Sequence, residues 1–201
     1  MKKSTREDAT ILLLRSIFDY VELFVFAVIA VGLLVTFFFR ICVVSGPSMN
    51  QTLSHGQGLF VSDFGYTPHE GDIIVFHQTG SEYASFNEPI VKRVIATGNH
   101  YVKIDYTEGK VFVSSDDVFT EDEVIDESRY AYFAAPNGKW AESGRAPLVE
   151  YVPEGYLFVM GDNRNNSADS RSRYVGLVDA RRVLGRVYFR VLPFSAFGKV
   201  S

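Results

Sequence analysis

The longest hydrophobic pattern in the chain is an apolar run near its N-terminus. Leu23 to Phe39 is apolar apart from Thr36. No polar face interrupts the run, as it would in a helix packed on the surface of a soluble core. Together with the segment that begins at Asp19, the run is long enough to cross a hydrocarbon layer of roughly 30 Å as a helix. We therefore predict one transmembrane helix over residues 19–41.

The distribution of cations predicts the orientation of this helix. Arg40 is the only cation between the run and Lys92, whereas four cations precede it. They are Lys2, Lys3, Arg6 and Arg15. Lys and Arg concentrate on the cytosolic side of a membrane, so we predict that residues 1–18 are cytosolic and residues 42–201 extracytoplasmic. A cleavable signal is the alternative, but the run is long for one and ends in Phe37-Phe38-Phe39-Arg40, without the small residues that cleavage requires.

Short apolar segments between turn residues predict that the rest of the chain is mainly β. The segments with the composition of buried strands are Gly58–Ser62, Ile73–Phe76, Tyr156–Met160 and Val183–Leu192. Tyr101–Asp105 and Lys110–Val113, joined through Thr107-Glu108-Gly109, are predicted to form a hairpin. The expected architecture is a β domain that follows one N-terminal transmembrane helix.

An acidic stretch interrupts this β pattern. Seven carboxylates lie between Asp116 and Glu127, and Ala135-Pro136-Asn137-Gly138 follows them. We predict that residues 114–149 form an irregular surface insertion with a solvated acidic loop. The stretch lacks the Asp-x-Asp-x-Asp-Gly order of a calcium loop, so no metal site is expected there.

Charge and cysteine content limit the partners of the chain. The net charge is −4 and Cys42 is the only cysteine. Nothing therefore indicates a nucleic-acid partner, and no intramolecular disulfide can form. Four arginines near the C-terminus could meet anionic lipid headgroups or pair with the acidic insertion, and the sequence favours neither. They are Arg181, Arg182, Arg186 and Arg190.

A serine just beyond the apolar run is the first candidate for chemistry. Ser48 follows a Gly-Pro pair, Gly46-Pro47. Glycine allows a close backbone approach and proline restricts the chain, so the N–H of Ser48 could face a developing oxyanion. The same composition is typical of an ordinary turn. Because serine requires an activating base, this stretch alone does not establish a catalytic site.

Lys92 is the strongest candidate for that base. In an extended strand Lys92 and Arg93 point to opposite faces, each among apolar residues, and we expect one of them to reach solvent. Only the lysine can lose its proton when it is desolvated. A lysine whose stem covers apolar surface is the alternative. The four histidines lack a neighbouring acid or oxyanion motif; they are His55, His69, His77 and His100.

A dense polar stretch, Gly161 to Arg173, follows the predicted strand Tyr156–Met160 directly. Asp169 and Arg171 are spaced to form a bidentate pair that fixes a loop. Ser167 offers a hydroxyl that could orient a neighbouring amine. A polar surface turn with local side-chain bonds is the alternative.

Together these stretches resemble the type I signal peptidases, which are membrane-anchored serine proteases with a Ser-Lys dyad. The resemblance extends from the apolar anchor to Phe197 and rests on four stretches in the order of that family. They are Ser-Gly-Pro-Ser-Met-Asn-Gln-Thr-Leu (45–53), Gly-Asp-Ile-Ile-Val-Phe (71–76), Val-Lys-Arg-Val-Ile (91–95) and Gly-Asp-Asn-Arg-Asn-Asn-Ser-Ala-Asp-Ser-Arg (161–171). The resemblance implies a mainly β, signal-peptidase-like catalytic core with a variable insertion.

The resemblance also implies roles for individual residues. Ser48 would be the nucleophile and Lys92 the general base, with Ser167 hydrogen-bonded to the lysine. Asp169 and Arg171 would brace the site as an ion pair. Because Gly46 stands where some members carry a serine, the oxyanion hole is expected to use backbone N–H groups, chiefly that of Ser48.

Substrates and surroundings follow from the same resemblance. It implies secretory preproteins, cut after small side chains at the outer membrane face, with membrane lipid as the surroundings and no cofactor or metal. The chain departs from the family at Gln51, where proline is usual, and at Ala96-Thr97-Gly98-Asn99, where Gly-x-Pro-Gly-Asp is common. Two alternatives remain: a Ser-Lys peptidase for a dedicated assembly substrate or its own chain, and a membrane-tethered, non-catalytic β-domain that binds envelope partners.

Overall fold

The computed structural model describes residues 2–78, 89–133 and 145–200, and it divides into two units, residues 1–39 and 40–201. The first unit is helix α1, Lys2–Phe38. Within it, the segment Ile11–Thr36 is long and apolar enough to cross a membrane, with a mean hydropathy of 2.2. Near the C-terminal end of this segment the Thr36 hydroxyl forms its hydrogen bond within the helix, since Oγ1 donates to Gly32 O at 2.7 Å.

The described part of the second unit contains eleven strands, and every pair is antiparallel. They are β1 (Arg40–Val43), β2 (Gly58–Ser62), β3 (Ile73–His77), β4 (Pro89–Ala96), β5 (His100–Asp105), β6 (Lys110–Ser114), β7 (Leu148–Val152), β8 (Tyr156–Met160), β9 (Val178–Asp179), β10 (Val183–Leu192) and β11 (Gly198–Lys199). The prediction of a mainly β domain after one apolar helix is confirmed. The predicted end of the helix is wrong, because Arg40 and Ile41 belong to β1.

These strands form two sheets. The larger one has the order β1-β2-β10-β3-β4-β8-β9, with β11 paired to β10, and the smaller one has the order β6-β5-β7. The predicted hairpin is confirmed as β5–β6, whose turn is held by Asp105 Oδ1, an acceptor for the N–H groups of Thr107 and Glu108, each at 2.9 Å. The order of the larger sheet places β4, which carries Lys92 and Arg93, next to β8, which the polar stretch Gly161–Arg173 follows.

Apolar burial anchors the loop that carries Ser48. Met49 and Leu53 follow the serine, are 1% and 0% exposed, and pack in one cluster with Leu59 of β2 and Val75 of β3. Burying side chains of this size stabilises a fold by about 1.5–3 kcal/mol each. The loop is therefore fixed to the larger sheet on the C-terminal side of Ser48.

The turn after β4 is well formed despite its departure from the family pattern. Asn99 lies in the left-handed region, with φ 67°, where asparagine is among the residues best tolerated. Its N–H donates to Val152 O at 2.8 Å. A Cβ at Gly98 would lie 2.8 Å from the Cα of Glu154, so only glycine fits there.

The structure corrects the prediction for residues 114–149, of which it describes 114–133 and 145–149. Strand β7 begins at Leu148, and the N–H of Ile125 donates to Val111 O of β6 at 2.9 Å. The acidic stretch is not uniformly solvated either, because the Glu127 side chain is only 10% exposed and pairs with Arg164. The rest of the predicted insertion lies outside the described residues.

Three of the four C-terminal arginines contact residues outside the acidic insertion. Arg181 pairs with Asp179 and Arg186 with Asp72. The guanidinium of Arg190 donates to the carbonyl of Ala196 at 2.6 Å. For these three arginines the predicted pairing with the acidic insertion is therefore replaced by contacts with other residues.

Candidate active site

Strand β4 places a lysine against the loop serine. The Nζ of Lys92 donates a hydrogen bond to Ser48 Oγ at 2.7 Å and another to Val91 O at 3.0 Å. The two side chains come from segments 44 residues apart in sequence. An alcohol and an amine at this distance can exchange a proton directly.

Burial changes the acidity of this amine. Lys92 is only 3% exposed. Its desolvation lowers the pKa to about 8, while the negative charges of Asp169 and Asp162 oppose the shift and the positive charge of Arg171 adds to it. With that pKa, roughly one molecule in ten carries a neutral amine at pH 7. Lys92 is therefore able to act as a base in the physiological range.

Arg93 is also buried, which contradicts the expectation that one cation of the pair reaches solvent. It is 3% exposed. Its Nε donates to Asp162 Oδ1 at 2.9 Å and its Nη2 to Asp162 Oδ2 at 2.8 Å. The same carboxylate accepts from Thr52 Oγ1 at 2.5 Å. Asp162 thus joins β4, the segment after Ser48 and the polar stretch after β8.

A second buried ion pair lies in the polar stretch itself. Arg171 donates from Nε to Asp169 Oδ1 and from Nη2 to Asp169 Oδ2, both at 2.8 Å. Burial alone would raise the pKa of Asp169, but the hydrogen bonds and charge of Arg171 outweigh it and leave the pKa below its ordinary value. The structure therefore contains the bidentate pair that the spacing predicts, and Asp169 stays ionised.

Ser167 lies in the site without the hydrogen bond to Lys92 that the resemblance implies. Its Oγ is buried and makes no hydrogen bond of ordinary geometry, although it is close enough to Asp169 to help lower the pKa of that carboxyl. A Cβ on Gly161 would lie 2.3 Å from Ser167 Oγ and 2.5 Å from the carbonyl oxygen of Ser48. Gly161 therefore leaves no room for a side chain between the polar stretch and the serine loop.

Hydrogen bonds to neighbouring backbone groups fix the orientation of Ser48. Its carbonyl accepts from the N–H of Asn163 at 3.0 Å, and Asn163 Nδ2 donates to Pro47 O at 3.1 Å. Gly46, with φ 84°, donates its N–H to His55 Nδ1 at 3.2 Å. The N–H of Ser48 itself has no acceptor among the described residues. That N–H is available to a group bound beside the serine.

Several of these partners are missed by sequence reasoning. Asp162, Asn163 and Thr52 are polar residues in stretches already noted, but their roles depend on which strands pair. His55 supports the loop rather than the alcohol. Two other imidazoles contact residues outside the Ser48–Lys92 pair: His69 lies 3.8 Å from Asp72, and His100 Nδ1 lies 3.2 Å from the carbonyl of Thr97. Within the described ranges no three His, Cys, Asp or Glu side chains group as metal ligands would.

A cavity of about 270 Å³ opens beside the Ser48–Lys92 pair. Its walls are residues 44–49 of the serine loop, residues 89–92 of β4, and Asn166 and Ala168. On one side β4 pairs with β3 over residues 89–93, whereas on the other its pairing with β8 begins only at Arg93. Residues 89–91 therefore present backbone groups to the cavity that β8 does not use.

Comparisons with known protein sequences agree with the resemblance to the signal peptidases. The family described as signal peptidase, peptidase S26, matches residues 17–192. A signal peptidase I of Bacillus licheniformis is 32% identical over 194 residues, 92% of this chain and 94% of that protein. A probable signal peptidase I-2 of Synechocystis sp. is 31% identical over 182 residues, 87% of this chain and 72% of that protein. A crystal structure of a signal peptidase I from Enterococcus faecalis V583 covers 60% of this chain and 97% of its own, with 24% identity and a TM-score of 0.41.

Proposed function

Because the chain belongs to the signal peptidase family, peptidase S26, we propose that it is a serine endopeptidase that removes signal peptides from secretory preproteins. In this proposal Ser48 is the nucleophile and Lys92 the general base. The observation that carries the assignment is the 2.7 Å contact between Ser48 Oγ and the buried amine of Lys92. An exposed serine on a plain turn has no such partner.

The proposed reaction begins with proton transfer from Ser48 Oγ to the neutral amine of Lys92 as the oxygen attacks the scissile carbonyl. The resulting ammonium then protonates the leaving amine, and the acyl group stays on Ser48. Water, deprotonated by the same amine, releases the acyl group and regenerates the serine. Each step moves one proton between lysine and a reacting atom within hydrogen-bond reach.

The negative charge of the tetrahedral intermediate requires a donor. The N–H of Ser48, which has no acceptor among the described residues, is the proposed donor. Pro47 has no N–H to offer. Asn163 would keep this N–H in position, because it holds the carbonyls of both Ser48 and Pro47.

The cavity provides the proposed substrate site. An extended peptide could pair with the backbone of residues 89–91 by adding a strand, as peptides do at open sheet edges. Val44, Pro47 and Ile90 make parts of its wall apolar. A substrate in this position would also remove water from Lys92, which would lower the pKa of the amine further. Small side chains before the cleaved bond would fit such a shallow apolar wall.

The remaining predicted site residues have supporting roles in this proposal. The Asp169–Arg171 pair would hold the polar stretch in place, and Asp169 accepts from the N–H of Gly161 at 2.9 Å. Ser167 would turn its buried hydroxyl towards the amine when Lys92 becomes charged. The reaction proposed for Ser48 and Lys92 requires no cofactor or metal.

Helix α1 fits a single-pass membrane anchor. From the excess of cations before it, we propose that the N-terminus is cytosolic and that residues 40–201 face the other side, in contact with membrane lipid. Protease digestion of intact cells compared with inverted vesicles tests the orientation. If the β domain were digested only in inverted vesicles, the orientation would be the opposite of the one proposed.

Paired substitutions test the dyad. Ser48→Ala and Lys92→Arg should both abolish cleavage of a purified preprotein, the second because arginine keeps its proton. Lys110→Arg, an exposed cation, serves as the control and should cleave normally. Robust cleavage by a folded Lys92→Arg enzyme would refute the role of Lys92. Cleavage of an unrelated secreted precursor would also exclude an enzyme restricted to one assembly substrate.

A further inference from the structure

The predicted surface insertion contains a glutamate that reaches into the fold. The carboxylate of Glu127 accepts hydrogen bonds from both terminal nitrogens of Arg164. The exposed fractions of the two side chains are 10% for Glu127 and 0% for Arg164. Such a buried, bidentate pair is geometrically specific, unlike the exposed pair that Lys110 makes with Glu121 on the same insertion.

Arg164 transmits this contact to both ends of the polar stretch. Its Nε donates to the carbonyl of Gly161 at 3.1 Å. Its own carbonyl accepts from Arg171 Nη2 at 2.8 Å, and Arg171 holds Asp169. The Arg164 side chain therefore holds the start of the stretch, and the Arg164 carbonyl holds the Asp169–Arg171 ion pair near its end.

The first residues of that stretch also contact the backbone of Ser48, the proposed nucleophile. Gly161 packs against the Ser48 carbonyl, and the N–H of Asn163 donates to the same oxygen at 3.0 Å. A displacement of residues 161–163 would consequently move Ser48 relative to Lys92, which lies on a different element.

Two tyrosines that follow Glu127 in the same segment make further contacts with the two buried arginines and the polar stretch. The ring of Tyr130 lies 4.1 Å from the guanidinium carbon of Arg93 and 5.8 Å from that of Arg164. The backbone of Tyr132 donates to Asp162 O at 2.7 Å and accepts from the N–H of Arg164 at 2.8 Å. The segment 127–132 thus contacts both buried arginines and pairs with the backbone of residues 162–164.

We propose that Glu127 is a positioning residue for the peptidase reaction: through Arg164, it holds residues 161–163 where they keep Ser48 within reach of Lys92. This inference rests on the proposed function. Loss of the Glu127 carboxylate would raise the free energy of the buried Arg164 guanidinium. The loop would relieve that cost by moving towards water. A misplacement of about 1 Å is enough to slow a positioned reaction about 100-fold.

The test compares Glu127→Gln with the matched control Glu121→Gln in the full-length protein, using a preprotein substrate. Glu127→Gln should lower kcat by about 10-fold to about 100-fold. Its KM should change less than about 2-fold, because Glu127 is not among the residues that line the substrate cavity. Glu121→Gln should match the unmodified enzyme. An unchanged kcat in Glu127→Gln would overturn the inference.

Two further measurements separate positioning from folding. Complete acylation of Ser48 by a mechanism-based inhibitor counts the folded active sites, and kcat is expressed per acylated site. A lower count with a normal kcat per site would mean that Glu127 only supports folding, which would also overturn the inference. The double variant Glu127→Gln/Arg164→Gln should be no slower than Arg164→Gln alone, since both changes break one connection. Additive losses would contradict a path through Arg164.

The outcomes also distinguish this inference from the proposed function. If the unmodified protein fails to cleave preproteins, the function itself is wrong. If it cleaves them and Glu127→Gln cleaves them equally well, only the positioning role fails.

Discussion

Gly161→Ala is the substitution whose effect the structure defines most closely. The added Cβ would lie 2.5 Å from the Ser48 carbonyl oxygen and 2.3 Å from Ser167 Oγ, whereas ordinary contact begins at 3.4 Å. The serine carbonyl would have to move by 3.4 − 2.5 = 0.9 Å. It cannot move freely, since Asn163 holds it through a hydrogen bond. A shift of that size should lower kcat about 100-fold, and overpacking should reduce the unfolding free energy by about 1–3 kcal/mol.

The assay is steady-state cleavage of a preprotein, with thermal unfolding measured on the same samples. Gly198→Ala is the matched control, because a Cβ there meets no described atom within 4 Å. The control should keep both kcat and the unfolding midpoint. If folded Gly161→Ala enzyme retained kcat within about 2-fold, the close packing of the polar stretch against Ser48 would have no catalytic importance.

Two other substitutions test the buried charges. For Lys92, the folded-state pKa of about 8 lies below the ordinary value of 10.5, so the unfolded chain binds more protons between those values and stability rises with pH. The unfolding free energy of the unmodified protein minus that of Lys92→Met should therefore increase by about 2.5 kcal/mol from pH 7 to pH 10 in urea titrations; a pH-independent difference would contradict the buried amine. Asp162→Asn should destabilise the protein by about 3–5 kcal/mol, because Arg93 would remain buried without its carboxylate. Asp179→Asn, which removes the partner of the exposed Arg181, should leave the unfolding midpoint almost unchanged; equal losses would refute the distinction.

Local patterns were sufficient to predict much of the β domain. The bounds of β2, β8 and β10 follow from short apolar runs between turn residues, because composition along a strand depends mainly on its burial. The end of helix α1 could not be located in this way. The chain is apolar again from Ile41 to Val44, directly after Arg40, and only pairing with β2 makes Arg40–Val43 a strand.

The candidate site shows the same division between local and long-range information. The alternating faces of β4 single out Lys92, and a two-residue spacing indicates the Asp169–Arg171 pair. The burial of Arg93 could not be predicted, because Asp162 becomes its neighbour only when Arg93 of β4 pairs with Met160 of β8. Glu127 was assigned to solvent for a similar reason, since its partner lies 37 residues away.

The proposed mechanism requires Lys92 to be a buried amine that can lose its proton near neutral pH while in contact with Ser48. Nuclear magnetic resonance titration of the Lys92 Cε and Nζ signals in the selectively labelled full-length protein measures this directly. The signals should titrate with a midpoint of about 8. A midpoint near the ordinary value of 10.5 would contradict this mechanism, because the amine would then be charged whenever the enzyme has to act.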